Sequence, residues 1–333
     1  PENYEGSKEL AKRGELPLRV SYFLFPQKPG KEIDDFKEWM TLTVPGLDEH
    51  TGHDHGYEME GGGEFLVWSA GDFENFMAPR PVQGDKMEVE LMRVTKLLIK
   101  NRWPFRIHAT YNESVERILD VFEKINEETP FDGLRWAIDH AETISSQNIA
   151  RVNALGGGIA IQSRMAFAGE YFLERYGKER TKTSPPIREM LRQGIPVGAG
   201  TDGTRVSSYN PWTALYWLVS GKTAGGTQLY HKDNRLSREE ALRLYTIGSA
   251  WFSNEENVKG RIAPGQYADL ALLTDDYFNV PEEEIKHIES VLTVVNGNIV
   301  YGDEEYEKLT TPPPAISPAW SPVSEFGGHW RPN

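Results

Sequence analysis

The sequence contains no cysteine among its 333 residues. Disulfide bonds and thiolate metal sites are therefore both excluded. A metal site in this chain has to use histidine, aspartate or glutamate side chains, and these ligands favour hard or borderline divalent ions.

Long hydrophobic runs are absent as well, because no stretch approaches the ~18 consecutive apolar residues of a membrane-spanning helix. Positive charge is scarce: 36 Lys and Arg stand against 50 Asp and Glu, for a formal net charge of -14. Since such a surface repels phosphate, we expect no nucleic acid and no membrane as a partner, and a small molecule as the substrate.

The start of the sequence, PENYEGSKELAKRGELPLRVSYFLF, has no initiator methionine and no recognisable signal peptide. It opens in the middle of a helix-then-strand unit, which is typical of the interior of a longer protein. We therefore expect a missing N-terminal segment of the same protein to be a partner of this chain. We also expect a cytoplasmic location, and a homodimer is left open.

Short apolar strands alternate with amphipathic helices from residue 18 to residue 200. Such alternation predicts an α/β fold with a parallel sheet, either a barrel or a doubly wound sheet. No GxGxxG or P-loop motif supports the doubly wound nucleotide-binding alternative, and repeats of ~30 residues or more suit a (β/α)8 TIM-type barrel lacking its first strands. The predicted strands are Leu18–Phe25, Glu64–Ser69, Pro104–Ala109, Leu134–Asp139, Gly158–Gln162 and Pro196–Gly200.

The pattern changes after the last of these strands. Ser237 and Glu240 form a capping-box signature at the start of a helix, and Asn296-Gly297 lies between β-rich runs as in a hairpin. We predict a barrel over residues 1–255, strands of a small accessory β-sandwich over residues 256–310, and a Pro-rich C-terminal arm over residues 311–333. Within the alternating part, the longest irregular stretch, residues 45–63, is interpreted as a Gly-rich loop.

Three chemically active residues lie at equivalent positions: His108, His140 and Asp202 each come at the C-terminal end of a predicted strand. In a barrel these ends converge on one mouth, so we expect the three side chains to meet there. Singly, each is typical of a structural histidine or a turn aspartate; together they form a partial ligand shell for Zn²⁺ or a similar ion. A bound cation lowers the pKa of its water to ~7, and Asp202 beside it can move the proton to a leaving group.

Further candidates for substrate binding lie near this predicted mouth. Gln162 and Arg164 follow the strand before Asp202, and the guanidinium of Arg164 is suited to a carboxylate or amide oxygen. Trp212 follows Asn210-Pro211, which predicts the start of a helix, and its ring is a candidate wall of the substrate site.

The segments RIHAT, IDHAE and GTDG, followed by the G-x-I-x-P-G-x-x-A-D-L block at Gly260–Leu270, resemble the amidohydrolase superfamily, and within it the branch of N-substituted formamide deformylase-like enzymes. The resemblance covers nearly the whole chain. It implies that His108 and His140 are metal ligands on the fifth and sixth barrel strands and that Asp202 is the aspartate of the eighth. It also implies one or two divalent metals and hydrolysis of C–N bonds.

The sequence departs from that family in two places. The family carries a His-x-His pair on its first strand, which we expect on the missing segment; His53-Asp54-His55 mimics the pair but lacks a preceding apolar strand, so we interpret it as a solvated loop. In many members the fourth strand carries a lysine that is carboxylated and bridges two metals. The matching segment here, GEFLVWS, offers Glu64, which is either a bridging carboxylate or an exposed strand-start residue.

The leading hypothesis is a metal-dependent hydrolase that cleaves an amide-like C–N bond other than a peptide bond, with metal-activated water and Asp202 as the proton shuttle. The alternative is a catalytically inactive binding or regulatory protein of the same fold, favoured by the absent His-x-His pair and by Glu64. A third hypothesis, a metal-free glycosidase or sugar-binding barrel, needs two facing carboxylates. Asp139 is the other candidate carboxylate, and strand alternation predicts that it points away from the side on which His140 lies.

Overall fold

The computed structural model describes residues 4–46, 56–73, 75–203 and 206–310. The chain divides into two compact units, Pro1–Gln266 and Tyr267–Asn333. The predicted domain boundaries stay a prediction. Two predicted features, the His53-Asp54-His55 loop and the C-terminal arm over residues 311–333, lie outside the described residues.

The first unit is built on a six-stranded parallel sheet whose strands follow one another in sequence order. This order, without a reversal, is that of a barrel wall, so the α/β class and the parallel sheet are confirmed, while closure into an eight-stranded barrel stays a prediction. All six C-terminal strand ends lie at the same edge. The strands are β1 (Val20–Leu24), β2 (Tyr57–Gly62), β3 (Phe105–Ala109), β4 (Trp136–His140), β5 (Gly158–Gln162) and β6 (Val197–Gly200).

Helices connect these strands and cover the sheet. They are α1 (Glu5–Lys12), α2 (Glu32–Leu42), α3 (Met87–Lys100), α4 (Asn112–Glu128), α5 (Ser146–Ala154), α6 (Arg164–Thr181), α7 (Ile187–Arg192), α8 (Pro211–Ser220) and α9 (Arg238–Arg243). Helix α9 begins at the predicted capping box, with Ser237 and Glu240 each bonded to the other's backbone. None of the helices in the described part of the chain combines the length and apolarity needed to cross a membrane.

Helix α4 shows why the helices pack where they do. One stripe of its side chains at helical spacing is almost fully buried against the sheet. At the sheet it meets an aromatic cluster in which the ring of Phe122 lies edge-on to those of Phe105 and Trp136, at 5.5 and 5.2 Å between centroids. Burial of each such side chain stabilises the fold by about 1.5–3 kcal/mol. The packing fixes β3 and β4 side by side.

Strand β2 lies earlier than predicted. The segment predicted as a strand, residues 64–69, contains a 3₁₀ turn at Trp68–Ala70, whereas part of the predicted loop over residues 45–63 forms β2. The acidic, Gly-rich sequence YEMEGG suggests a loop, but its glycines allow close packing within the sheet. A Cβ on Gly61 would lie 2.0 Å from the carbonyl oxygen of Pro104. As a result, Glu64 follows the C-terminal end of a strand rather than starting one.

The second unit contains an antiparallel sheet of three strands within the described residues: β7 (Leu270–Leu273), β8 (Ser290–Val295) and β9 (Asn298–Gly302). The predicted Asn296-Gly297 hairpin joins β8 and β9, and both turn residues have positive φ, 51° and 79°. These are the angles that a two-residue hairpin turn requires. The predicted β-sandwich stays a prediction.

Candidate metal centre

Three adjacent strands bring Glu64, His108 and His140 to one edge of the sheet. Glu64 follows β2, His108 lies near the end of β3, and His140 is the last residue of β4. The backbone N–H of His108 donates to the carbonyl oxygen of Glu64 at 3.1 Å, and Ala109 pairs with His140 in the sheet register. Ordinary parallel pairing therefore sets the three side chains beside one another.

The Glu64 carboxylate lies between the two imidazole rings. Its Oε2 is 3.6 Å from Nδ1 of His108 and 3.2 Å from Nε2 of His140. The ring centroids of the two histidines are 4.1 Å apart, and one potential ligand atom from each of the three residues lies within 4.8 Å of the others. Elsewhere in the described residues, no further group of three or more such side chains comes this close.

These distances fit a divalent cation. Zn²⁺ bound tetrahedrally at about 2.0–2.1 Å separates its ligand atoms by about 3.3–3.4 Å, which lies between the two measured separations. Both imidazoles are almost fully buried, at 3% exposure for His108 and 5% for His140, so their orientations are fixed by packing. Buried Nδ1 of His140 has no hydrogen-bond partner in the described part of the chain. The donor set and its spacing could therefore hold a divalent metal ion.

The pKa shifts in this cluster reflect pairing between carboxylates and buried imidazoles. Burial raises the pKa of Glu64, but hydrogen bonds from His108 and His140 outweigh burial and hold it well below its ordinary value. Burial lowers the pKa of His108, but hydrogen bonds to Asp72 and Glu64 raise it well above the ordinary value. Burial and the charge of His108 lower the pKa of His140, which is nevertheless raised, chiefly by its hydrogen bond to Glu64. The carboxylates therefore stabilise positive charge here, whether on the protonated imidazoles or on a metal ion in place of their protons.

A cavity of about 250 Å³ opens beside this cluster at the same edge of the sheet. Glu64, His140, Gln162 and Asp202 line it, whereas Arg164 and Trp212 are not among its lining residues in the described part of the chain. Asp202 follows β6 and has a left-handed backbone, φ 50°. The structure therefore brings Asp202 to the cavity that Glu64 and His140 share, but Asp202 is not part of the three-residue cluster, and its role as a metal ligand stays a prediction.

The predicted substrate-binding residues Gln162, Arg164 and Trp212 form hydrogen bonds near the site. The amide of Gln162 donates from Nε2 to Glu142 at 2.5 Å and accepts from the backbone N–H of Arg164 at 2.5 Å. The guanidinium of Arg164 donates to the carbonyl oxygen of Val206 at 3.1 Å. The backbone N–H of Trp212 donates to the predicted helix cap Asn210 at 2.7 Å. Their roles as substrate-binding residues stay predictions.

Asp139 contradicts the alternation argument, because it lines the same cavity as its neighbour His140. The reason is backbone geometry: His140 and Ala141 have left-handed φ angles of 81° and 56°, so the strand stops alternating at His140. Two consecutive non-glycine residues in this region are strained, which is common at functional sites. The Asp139 carboxylate pairs with Arg106 at 2.6 Å and is not a second free acid.

Two polar residues of the site escaped the sequence analysis. Arg106 lines the cavity two residues before His108 on β3, a position that strand alternation makes available. Asp72 is fully buried, and its Oδ1 lies 3.2 Å from Nε2 of His108. Asp72 follows the segment that was predicted as a strand, so no signal in the sequence pointed to it.

The sequence profile described as the amidohydrolase family matches residues 1–301. Among curated proteins, the chain is 27% identical over 198 residues to the amidohydrolase YtcJ of Bacillus subtilis (strain 168), covering 59% of this chain and 37% of that protein. It is 27% identical over 197 residues to an N-substituted formamide deformylase of Arthrobacter pascens, covering 59% and 36%. The match thus spans little more than a third of these relatives.

Solved structures share the fold. An uncharacterized metal-dependent hydrolase from Pyrococcus horikoshii OT3 superposes with a TM-score of 0.64 at 21% identity, covering 85% of this chain and 56% of that one. A second, from Pyrococcus furiosus, gives a TM-score of 0.58 at 22% identity, covering 79% and 52%. At these identities the likeness concerns the fold alone.

Proposed function

This chain belongs to the amidohydrolase family, and on that premise we propose that it forms part of a metal-dependent hydrolase acting on an amide-like C–N bond other than a peptide bond. The observation that supports the proposal best is the cluster of Glu64, His108 and His140, whose ligand atoms lie within 4.8 Å of one another. The cluster adjoins a cavity of about 250 Å³, which is room for part of a small molecule.

Glu64, His108 and His140 would hold one divalent ion, for which we propose Zn²⁺, and a second ion is compatible with Glu64 as a bridging carboxylate. When bound, such an ion supplies Lewis acidity, which polarises a carbonyl group and makes water more acidic. The two histidines would bind it as neutral imidazoles, so its binding would release the additional protons that their raised pKa values favour.

Asp202 would move the proton. As the C–O bond to the attacking water forms, its carboxylate accepts a proton from that water, and it returns this proton to the nitrogen as the C–N bond breaks. The backbone around Asp202 is held in place: the hydroxyl of Tyr245 donates to the carbonyl oxygen of Gly200 at 3.0 Å, and the Gly203 N–H donates to Oγ1 of Thr201 at 3.3 Å.

We propose that Gln162, Arg164 and Trp212 contribute to substrate binding, Gln162 directly and the other two indirectly. Gln162 forms part of the wall. Arg164 and Trp212 would act through the segment after Asp202, because Arg164 donates to the carbonyl oxygen of Val206 and Trp212 lies in the first turn of α8 just beyond it. We also propose that activity requires a segment that supplies the His-x-His pair and further barrel strands.

The test uses the intact protein that contains this chain. Metal content is measured by mass spectrometry, and a series of N-substituted formamides is offered while formate and amine are quantified. We expect about one or two Zn²⁺ per molecule and equimolar release of formate and amine, both lost on chelation and restored by Zn²⁺. A metal-free protein that hydrolyses none of them would instead support the inactive binding protein.

A further inference from the structure

We propose that Asp72 positions the imidazole of His108 for metal binding by accepting the proton on its Nε2, which leaves Nδ1 as the ligand atom. This inference rests on the proposed metal site and adds to it a residue that does not itself touch the metal.

The two nitrogens of His108 face two different carboxylates. Nε2 lies 3.2 Å from Oδ1 of Asp72 and 3.4 Å from the hydroxyl oxygen of Thr110, while Nδ1 lies 3.6 Å from Oε2 of Glu64. A neutral imidazole carries one proton, and the nitrogen that keeps it cannot bind a metal. Because Asp72 is an acceptor and not a metal ligand, it favours the proton on Nε2 and so presents a lone pair on Nδ1 toward Glu64.

Asp72 is held rigidly relative to the strand that carries His108. The backbone N–H of Thr110 donates to both carboxylate oxygens at 3.0 Å, and the N–H of Tyr111 donates to Oδ2 at 3.0 Å. These two residues follow β3 directly, so the carboxylate and His108 share one short piece of backbone. With 0% exposure, the carboxylate depends on these bonds to offset its desolvation.

Two aromatic rings next to His108 restrict the orientation of its imidazole plane. Phe65 stacks on His108 with 5.4 Å between centroids and 20° between planes, and the ring of Phe73 lies 5.5 Å away. The rings limit rotation of the imidazole, and Asp72 selects the nitrogen that bears the proton. Neither neighbour alone would define both the orientation and the tautomer.

Asp72 also has a structural role, because its hydrogen bonds from the N–H groups of Thr110 and Tyr111 hold the turn between β3 and α4 in place. The variant Asp72→Asn separates the two roles. An asparagine oxygen can still accept from these N–H groups, but its amide donates to Nε2 of His108 and drives the ring proton onto Nδ1. A purely structural Asp72 therefore predicts a small change in metal binding, whereas a positioning Asp72 predicts a large one.

The experiment measures Zn²⁺ affinity against a competing chelator, and the visible absorption spectrum of the Co²⁺-loaded protein, for the intact wild type and Asp72→Asn. The control is Glu32→Gln: Glu32 is also buried, at 6% exposure, and accepts the N–H of Trp68 at 3.2 Å without contacting His108. We expect Asp72→Asn to lose about 10- to 100-fold in affinity and to change the Co²⁺ spectrum. Glu32→Gln should match the wild type in both.

Wild-type protein gives an independent readout should Asp72→Asn fail to fold. In the ¹¹³Cd-loaded protein, where the imidazole is neutral, long-range ¹H–¹⁵N NMR correlations report which nitrogen of His108 carries the proton, and ¹¹³Cd coupling reports which one binds metal; His108 is assigned by its loss in His108→Gln. We expect the proton on Nε2 and the coupling on Nδ1. The reverse assignment, or unchanged affinity and spectrum in folded Asp72→Asn, overturns the role of Asp72 alone. A wild type without any metal affinity removes the proposed metal site as well.

Discussion

Glu64 and His140 are 76 residues apart in the sequence, yet Oε2 of Glu64 lies 3.2 Å from Nε2 of His140. The same oxygen is 3.6 Å from Nδ1 of His108, so one carboxylate bridges two imidazoles. This arrangement stabilises either two protonated histidines or a metal ion shared by all three side chains. Experiments that alter the Glu64 carboxylate distinguish between these states.

Glu64→Gln is expected to abolish tight metal binding, because the amide keeps the size of the side chain but removes its negative charge. Loss of a direct ligand should exceed the about 10- to 100-fold typical of residues that only orient ligands. Chelator competition measures the affinity. Glu90→Gln is the matched control, since Glu90 is half-buried and accepts the hydroxyl of Ser69 at 2.6 Å away from the site. Equal affinity in both variants would rule out Glu64 as a ligand.

His108→Ala and His140→Ala should each yield protein that purifies with less than the wild-type content of Zn²⁺. Each removes one buried imidazole donor from the three-residue cluster. Metal analysis is compared with His231→Ala, because His231 is an exposed histidine paired with Asp233 at 2.7 Å. If either site variant retained full metal content while folded, its histidine would not be a ligand.

Asp202→Asn is expected to retain metal but lose turnover. The amide cannot accept and return a proton, so the rate of C–N hydrolysis should fall about 10²- to 10⁴-fold. Rates are measured with an N-substituted formamide that the wild type hydrolyses, together with metal content. Asp233→Asn, at an exposed position, is the control. Full activity of Asp202→Asn would assign the proton transfer to another group.

The strand-end argument predicted the neighbourhood of His108 and His140 because clear apolar strands precede both residues. It misplaced Glu64, since β2 is acidic and contains glycines that permit close packing rather than a loop. The secondary structure around Glu64 was wrong, although Glu64 itself was among the candidate ligands. With β2 ending at Gly62, Glu64 lies at the same sheet edge as the histidines.

Other parts of the site could not be predicted, because they depend on backbone angles or on contacts between distant segments. The left-handed φ of 81° at His140 ends the alternation of the strand, so His140 and Asp139 line the same cavity, and strand periodicity gives no sign of this angle. Asp72 meets the N–H of Thr110 across 38 residues of sequence. A single aspartate in an irregular segment carries no periodic signal, so its position emerges only from the folded chain.

Buried Glu60 on β2 should make the free energy of unfolding depend on pH. It is 7% exposed, and its Oε1 has no hydrogen-bond partner in the described residues. Burial, followed by the charge of Glu58, raises its pKa from 4.5 to about 8. The folded protein therefore binds this proton more tightly than the unfolded chain does. The stabilisation is fully present below pH 4.5 and is lost as the pH rises through about 8.

Glu60→Gln removes this titration, so the variant should gain stability relative to the wild type between pH 5 and pH 9, by on the order of 2–4 kcal/mol. Urea unfolding of both proteins at the two pH values measures the difference. Glu116 lies at an exposed position of α4. The difference in unfolding free energy between Glu116→Gln and the wild type should change much less between the two pH values. A stability difference between Glu60→Gln and wild type that stays constant with pH would mean that Glu60 is already ionised in the folded protein at pH 5.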